Sequence, residues 1–492
     1  MNSSTSSSSP AETKQPKQIY MLFATEMWER FGFYGMRALL ILFMTKVLSY
    51  NDENAYGIYA AFAALIYFSP FIGGIIADRL LGFKRCVIVG GILMALGYFL
   101  MTLTTKEAMF AALAFIVVGN GLFKPSVSSI VGGLYEKNDP RKDAGYTIFY
   151  IGINLGAAAA PLICPPLQEN LGWSYGFLAA SLGMLVGMGI FTYNMKSFGT
   201  NGDPLNPAKL KEKTLGILTN EWLTYLGVFL SLPVIIASLY YYDYTTYVLV
   251  PIGLACFGYI LYVAINSEKE ERERLFVVLI LITFSIFFFA LFDQAPSSLT
   301  LFADRNIDRE VFGYVIPAGT LVSLNPLWVL ALGSLFSWMW VELNKKGLEP
   351  STPMKFCFAL VFVGIGYGVL VLGAKIMNNN GLVPLIFLIL LYLFHTIGEL
   401  CLSPIGLSMI TKLSPKNIVA MVMGSWFLSW SFANIVGGEI AKRTKVEQGL
   451  PPIETLDAYT NVYGILAIAA IITGIALIAL VPLLKKWMHG IN

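Results

Sequence analysis

The chain has 492 residues, of which 56% are hydrophobic and only 13% charged. A soluble protein of this size needs far more charged surface, so the composition excludes an ordinary globular domain and indicates an integral membrane protein. A net charge of +3 is too small to attract a polyanion, and no nucleic-acid partner is expected.

Residues 1–16, MNSSTSSSSPAETKQP, are polar and serine-rich and read as a disordered tail with no signal-peptide core. After them, runs long enough to cross a bilayer core of about 30 Å recur along the chain. They predict about fourteen spans: 20–48, 56–78, 84–104, 107–134, 143–165, 173–194, 219–240, 245–265, 274–296, 311–342, 352–377, 383–412, 418–441 and 457–484. No ten-residue alternating strands occur, so the spans are helices and the fold is all-α. The block 311–342 holds an outer connection before its helix.

Polar interruptions divide the spans into six, two and six. KSFGTNGDPLNPAKLKEKTLGI at 196–217 follows the sixth span, and SEKEERER at 267–274 follows the eighth. The expected organisation is a bundle over 17–195, a cytoplasmic linker over 196–217, two additional helices over 218–266 and a second bundle over 267–490. Most Lys and Arg fall on loops that share a side with the N-terminus, which puts both termini in the cytoplasm. Two six-helix units imply repeats about an axis along the membrane normal, with a ligand site between them. GGIIADRLLGFKR at 73–85 reads as a hinge between inner helix ends. The five cysteines show no CxxC pairing, and with two histidines no metal site is expected.

The informative residues are charges in the wrong solvent. In EMWERFGFYGMR, residues Glu26, Glu29, Arg30, Phe33, Tyr34 and Arg37 share an arc of about 140° on a helical wheel. A charge at the bilayer centre costs at least about 2.5 kcal/mol, so this face must line a protein cavity. Lys124, Asp293 and Glu399 are the other charges at that depth. Depth allows Arg37 to meet Asp293 and Lys124 to meet Glu399, each pair joining one bundle to the other. A buried ion pair is often no better than a hydrophobic replacement, so static cement is a weak reading. Partners that change during a cycle explain the charges better, because a carboxylate deprived of its cation in a dry site takes up a proton. Tyr67, Tyr146, Tyr150, Asn154, Asn325, Ser403 beside Pro404, Trp426 and Asn434 extend the same cavity. His395, one turn before Glu399, reads as a packed polar residue.

These motifs resemble the proton-dependent oligopeptide transporters, a branch of the major facilitator superfamily. EMWERFGFYG is similar to the family's ExxERFxYYG signature, and GNGLFKPS, IFYIGINLGA and GELCLSPIGLS resemble its other blocks. The resemblance runs from about residue 17 to the C-terminus, and the extra helix pair is similar to that of bacterial members. It implies proton-driven import of di- and tripeptides, and of peptide-like drugs, by alternating access across the bacterial inner membrane. A functional monomer embedded in lipid is implied, with protons as coupling ion and no cofactor. By position, Glu26, Glu29 and Arg30 would couple protons. Arg37 and Lys124 would receive the peptide carboxylate, and Glu399 its amino group, helped by Asn154 and Asn325. Tyr34, Tyr67, Tyr150, Ser403 and Trp426 would line side-chain pockets. Arg37–Asp293 would close the outer gate and Lys124–Glu399 the inner one. Phe33 and Asp293 depart from the pattern, where tyrosine and glutamate are usual. A nitrate carrier needs no carboxylate for an amino group, which favours peptides. An intramembrane enzyme lacks its nucleophile and base, and a non-transporting receptor is the remaining alternative.

Overall fold

The computed structural model describes residues 14–136, 139–415 and 418–491. Most of the expected tail at 1–16 lies outside them. Its last residues are not disordered: Gln15 donates to the Arg141 carbonyl at 3.0 Å and accepts from Tyr135 at 2.8 Å.

Fourteen long helices follow in order: α1 (Lys17–Lys46), α2 (Asp52–Ile76), α3 (Phe83–Met101), α4 (Lys106–Gly132), α5 (Lys142–Leu171), α6 (Trp173–Asn194), α7 (Asn220–Tyr240), α8 (Tyr242–Asn266), α9 (Lys269–Phe292), α10 (Leu324–Lys345), α11 (Thr352–Ala374), α12 (Leu385–Leu413), α13 (Val419–Lys442) and α14 (Pro452–Trp487). Among the described residues, 12 candidate spans are long and apolar enough to cross a membrane. Helices α1 and α13 pack beside these as part of the same bundles. The helices start where polar side chains satisfy their first N–H groups. Asn51 caps α2 by accepting from the Asn54 amide at 2.8 Å, and Thr105 caps α4 from Ala108 at 3.2 Å. The connection expected inside 311–342 is a small hairpin, Glu310–Val311 with Tyr314–Val315, followed by a 3-10 turn before α10.

The repeat that is faint in sequence is plain in packing. In the first bundle α1 packs on α5 and α6, α3 on α4 and α6, and α2 on α4. In the second, α9 packs on α13 and α14, α11 on α12 and α14, and α10 on α12. The bundles meet through the matching contacts α2 with α13 and α5 with α10. The α7–α8 hairpin lies outside, α7 against α2 and α4, α8 against α2, α9 and α13.

The linker is tied to the first bundle on the face that bears both chain ends, the one that the Lys and Arg distribution marks as the expected inner face. Lys84 donates to the Gly199 carbonyl and pairs with Asp203 at 2.9 Å, and Asn201 donates to the Ile130 carbonyl at 2.9 Å. Gly82, at φ +79°, turns the chain there in a conformation that disfavours any side chain. In the adjoining 73–85 motif, a Cβ on Gly73 would overlap the Gly121 carbonyl, so α2 and α4 cross backbone to backbone. Asp78 and Arg79 remain exposed on this face.

At the opposite, outer face the bundles are joined. Four ion pairs link them among the described residues: Arg37–Asp293, Lys46–Asp304, Asp52–Arg305 and Glu53–Lys445. On the inner side Tyr146 is 37% and Tyr150 45% exposed, and the inner half of α10 is exposed as well. The described residues are thus tied together across the bundles on the face opposite the chain ends, and more exposed on the face that bears them.

Candidate substrate and proton site

Helix α1 carries four buried charges, Glu26, Glu29, Arg30 and Arg37. Arg30 is held by Glu29, through a bond from Nε and one of 2.7 Å from Nη2, and its Nε lies 3.4 Å from Glu26. Glu29 is fully buried and Glu26 is 3% exposed. Two carboxylates thus share one guanidinium in a site closed to water. Phe33, without the usual hydroxyl, still engages the cluster: the Arg30 guanidinium stands 5.2 Å over its ring.

Arg37, two turns outward from Arg30, reaches across to the second bundle. Its Nη2 donates to Asp293 at 2.5 Å and its Nε to the Tyr59 hydroxyl at 2.5 Å. Asp293 ends α9, and the shorter acid meets Arg37 directly; its other oxygen, buried, has no hydrogen-bond partner.

Glu399 belongs to the second bundle. It accepts from the Asn325 amide at 2.8 Å, and the same amide contacts the Thr396 hydroxyl at 3.0 Å. Lys124 is not its partner. No oxygen of Glu399 lies within ion-pair distance of Lys124, which instead sits 5.4 Å over the Tyr67 ring, in the fields of Arg30, Glu26 and Glu29. The expected Lys124–Glu399 pair is not formed in this conformation.

Tyr34 lies between these groups, in the fields of Arg37, Arg30, Glu399 and Asp293. Tyr150 lies in the field of Glu399, and Asn154 is buried one turn away with its amide on the Tyr150 carbonyl at 3.0 Å. Tyr67 packs on Trp430 at 5.1 Å. Trp426 is 2% exposed, lies over Gly406 and meets Phe289 and Phe356 edge-on, so it forms a wall more than a contact surface. The Ser403 hydroxyl is buried without a partner. His395 packs on Tyr367 at 4.8 Å as a buried polar residue and makes no bond to Glu399.

Sequence reasoning missed Tyr59, Asn120 and Thr396. Asn120 could have been found, since it stands one turn before Lys124 on the same helix face. Tyr59 carried no such signal among 25 tyrosines.

The arrangement offers cations on the first bundle, an anion on the second, and amide and aromatic groups between. Comparisons with known proteins agree with it. A model of the POT family matches residues 84–461. The dipeptide and tripeptide permease B of Edwardsiella piscicida is 33% identical over 98% of this chain and 97% of its own. That of Salmonella typhimurium is 31% identical over 97% of each. Among solved structures, a peptide transporter in complex with alafosfalin superposes with a TM-score of 0.83 at 34% identity, covering 98% of this chain and 97% of that one. A family transporter in complex with 5-aminolevulinic acid superposes at 0.82 with 29% identity, covering 96% and 98%. With opposed charges on facing bundles and these likenesses along nearly its whole length, the chain belongs to the POT family, on the major facilitator fold.

Proposed function

We propose that the protein is a proton-coupled symporter that imports di- and tripeptides by alternating access. One observation carries the reading: cations Arg37 and Lys124 stand on one bundle and Glu399, steadied by Asn325, on the other. A zwitterion spanning the cavity needs a cation at one end and an anion at the other, with neutral surroundings that tolerate many side chains. The relatives named as dipeptide and tripeptide permeases support the substrate class. Peptide-like drugs carrying the same two charges would be accepted too.

In this cycle, Arg37 and Lys124 take the carboxylate and Glu399 the amino group, with Asn154 and Asn325 alongside. Tyr34, Tyr67, Tyr150, Ser403 and Trp426 surround the side chains. Glu26, Glu29 and Arg30 exchange the proton. Arg37–Asp293 seals the outer end in the inward-facing state, and Lys124–Glu399 closes the inner end when the bundles rock. The chain works as a monomer in the inner membrane with both termini cytoplasmic, using protons and no cofactor.

The test is uptake of labelled dialanine into liposomes holding the purified protein, with and without an inward proton gradient. Gradient-dependent accumulation is expected. Its absence for every di- and tripeptide tried would refute the reading.

A further inference from the structure

We infer that Asn120 is a positioning residue that ties the proton site to the bend of α2. The inference rests on the proton-coupling reading above. Helix α2 contains Pro70, which has no amide hydrogen for the carbonyl four residues earlier. That carbonyl belongs to Ile66, buried in the bundle. The Asn120 Nδ2 donates to it at 3.1 Å, and Ser69 Oγ of the same turn makes a longer contact of 3.3 Å. The other end of the Asn120 amide, Oδ1, accepts from Arg30 Nη2 at 3.4 Å. The two bonds together fix which way the amide points, since its donor side faces a carbonyl and its acceptor side a guanidinium.

One side chain, 1% exposed, thus connects the cation of the proton site to the carbonyl left over by a helix-bending proline. A second freed carbonyl lies beside it. Pro125 in α4 leaves the Gly121 carbonyl without its helical donor, and that carbonyl lies directly against Gly73 of α2. Gly121 in turn packs under Ser69. The α2–α4 crossing is therefore made of two proline-weakened helix segments in backbone contact, and Asn120 sits at its centre. Lys124, one turn further along α4, brings the substrate cation onto the same element.

The physical consequence follows from the alternation at Arg30. While both Glu26 and Glu29 are ionised they hold the guanidinium. When one is protonated the guanidinium is released toward Asn120, strengthening a charge-assisted bond that is long in this conformation. A shift of the Asn120 amide changes the support of the Ile66 carbonyl, and with it the bend of α2. Helix α2 packs on α13 of the other bundle, so its bend changes the bundle interface. The charged and titratable groups around Arg30 are Glu26, Glu29 and Tyr34 on its own helix, Tyr98 on α3 and Lys124 on α4.

The experiment uses the full chain in liposomes and compares gradient-driven dialanine accumulation, its pH profile and dialanine counterflow. Asn120→Ala should lose accumulation and flatten the pH profile while counterflow persists. Asn120→Leu keeps the volume but neither donor nor acceptor and adds no charge, and should lose accumulation as well; it also covers the case in which the alanine variant fails to fold. Pro70→Ala supplies the missing amide hydrogen and should lose accumulation by itself, with Asn120→Ala/Pro70→Ala no worse than either. If Pro70→Ala instead restores accumulation to Asn120→Ala, the amide only fills a hydrogen-bond vacancy and the proposal is overturned. Wild-type pH profiles in both Asn120 variants would overturn it equally. Wild-type protein lacking gradient-driven uptake would sink the coupling reading itself, a separate outcome.

Discussion

Replacing Asp52 by Asn should open the outer face of the molecule. Asp52 begins α2 at the outer end and is 1% exposed. Arg305, from the short helix Ser298–Asn306 after α9, grips it with two bonds of 2.6 and 2.7 Å, and the Val446 amide adds a third at 3.2 Å. Tyr459 fixes Arg305 from α14 at 2.9 Å. The pair therefore joins α2 of the first bundle to three segments of the second, and it must break whenever the outer ends part. Asparagine preserves the volume and one acceptor but removes the charge, leaving Arg305 partly buried beside a neutral amide. Removing one partner of a buried pair costs about 3 kcal/mol or more. Exposure returns part of this loss to Arg305 in the open state, so the closed state is disfavoured by that order, or roughly two powers of ten in the closed-to-open ratio. Spin labels at Glu107 and Asn379, exposed on the outer ends of opposite bundles, would read the distance, with half-exposed Cys256 replaced by Ser. Asp52→Asn and Arg305→Gln should each add a longer-distance population. Distance distributions identical to wild type in both variants would refute the reasoning and leave Arg37–Asp293 as the effective outer seal.

Glu26→Gln should abolish concentrative uptake yet preserve counterflow, since it fixes one member of the Arg30 cluster in its neutral form; normal accumulation would contradict the assignment. Lys124→Ala should weaken peptides more than their C-terminal amides in competition assays, because only the former carry the carboxylate it would bind. Glu399→Gln should weaken peptides with a free amino group more than N-acetylated ones, and equal losses would remove Glu399 from the amino-group site. Gly73→Val should lose folded protein, measured as a detergent-stable monodisperse peak, because the added carbons overlap the Gly121 carbonyl with backbone on both sides.

Much of this was legible in one dimension. The succession of helices follows from apolar run length, because a bilayer requires every backbone group to be bonded within its own helix, and the six-two-six division from the polar interruptions at 196–217 and 267–274. The shared face of Glu26, Arg30 and Arg37 follows from helical periodicity alone, and the cost of a charge in hydrocarbon marks that face as one turned to protein and not to lipid. Depth along the span was enough to bring Arg37 and Asp293 together as candidates, since both lie in the outer half.

The same depth argument could not decide Lys124 and Glu399. Whether two groups at equal depth touch depends on the angle between rigid bundles, and that angle is set by the outer ion pairs and the α2–α13 and α5–α10 contacts. Asp52–Arg305 was invisible for a related reason: the residues are 253 apart, and each alone reads as an ordinary polar residue at a helix end. Asn120 shows the division most clearly. Sequence determined that Pro70 must orphan a carbonyl and that Asn120 stands one turn before Lys124; only the crossing of α2 over α4 decided that the orphan and the amide meet. Covalent periodicity governs what one helix presents, while the partners of a buried polar group are fixed by packing between helices distant in the chain.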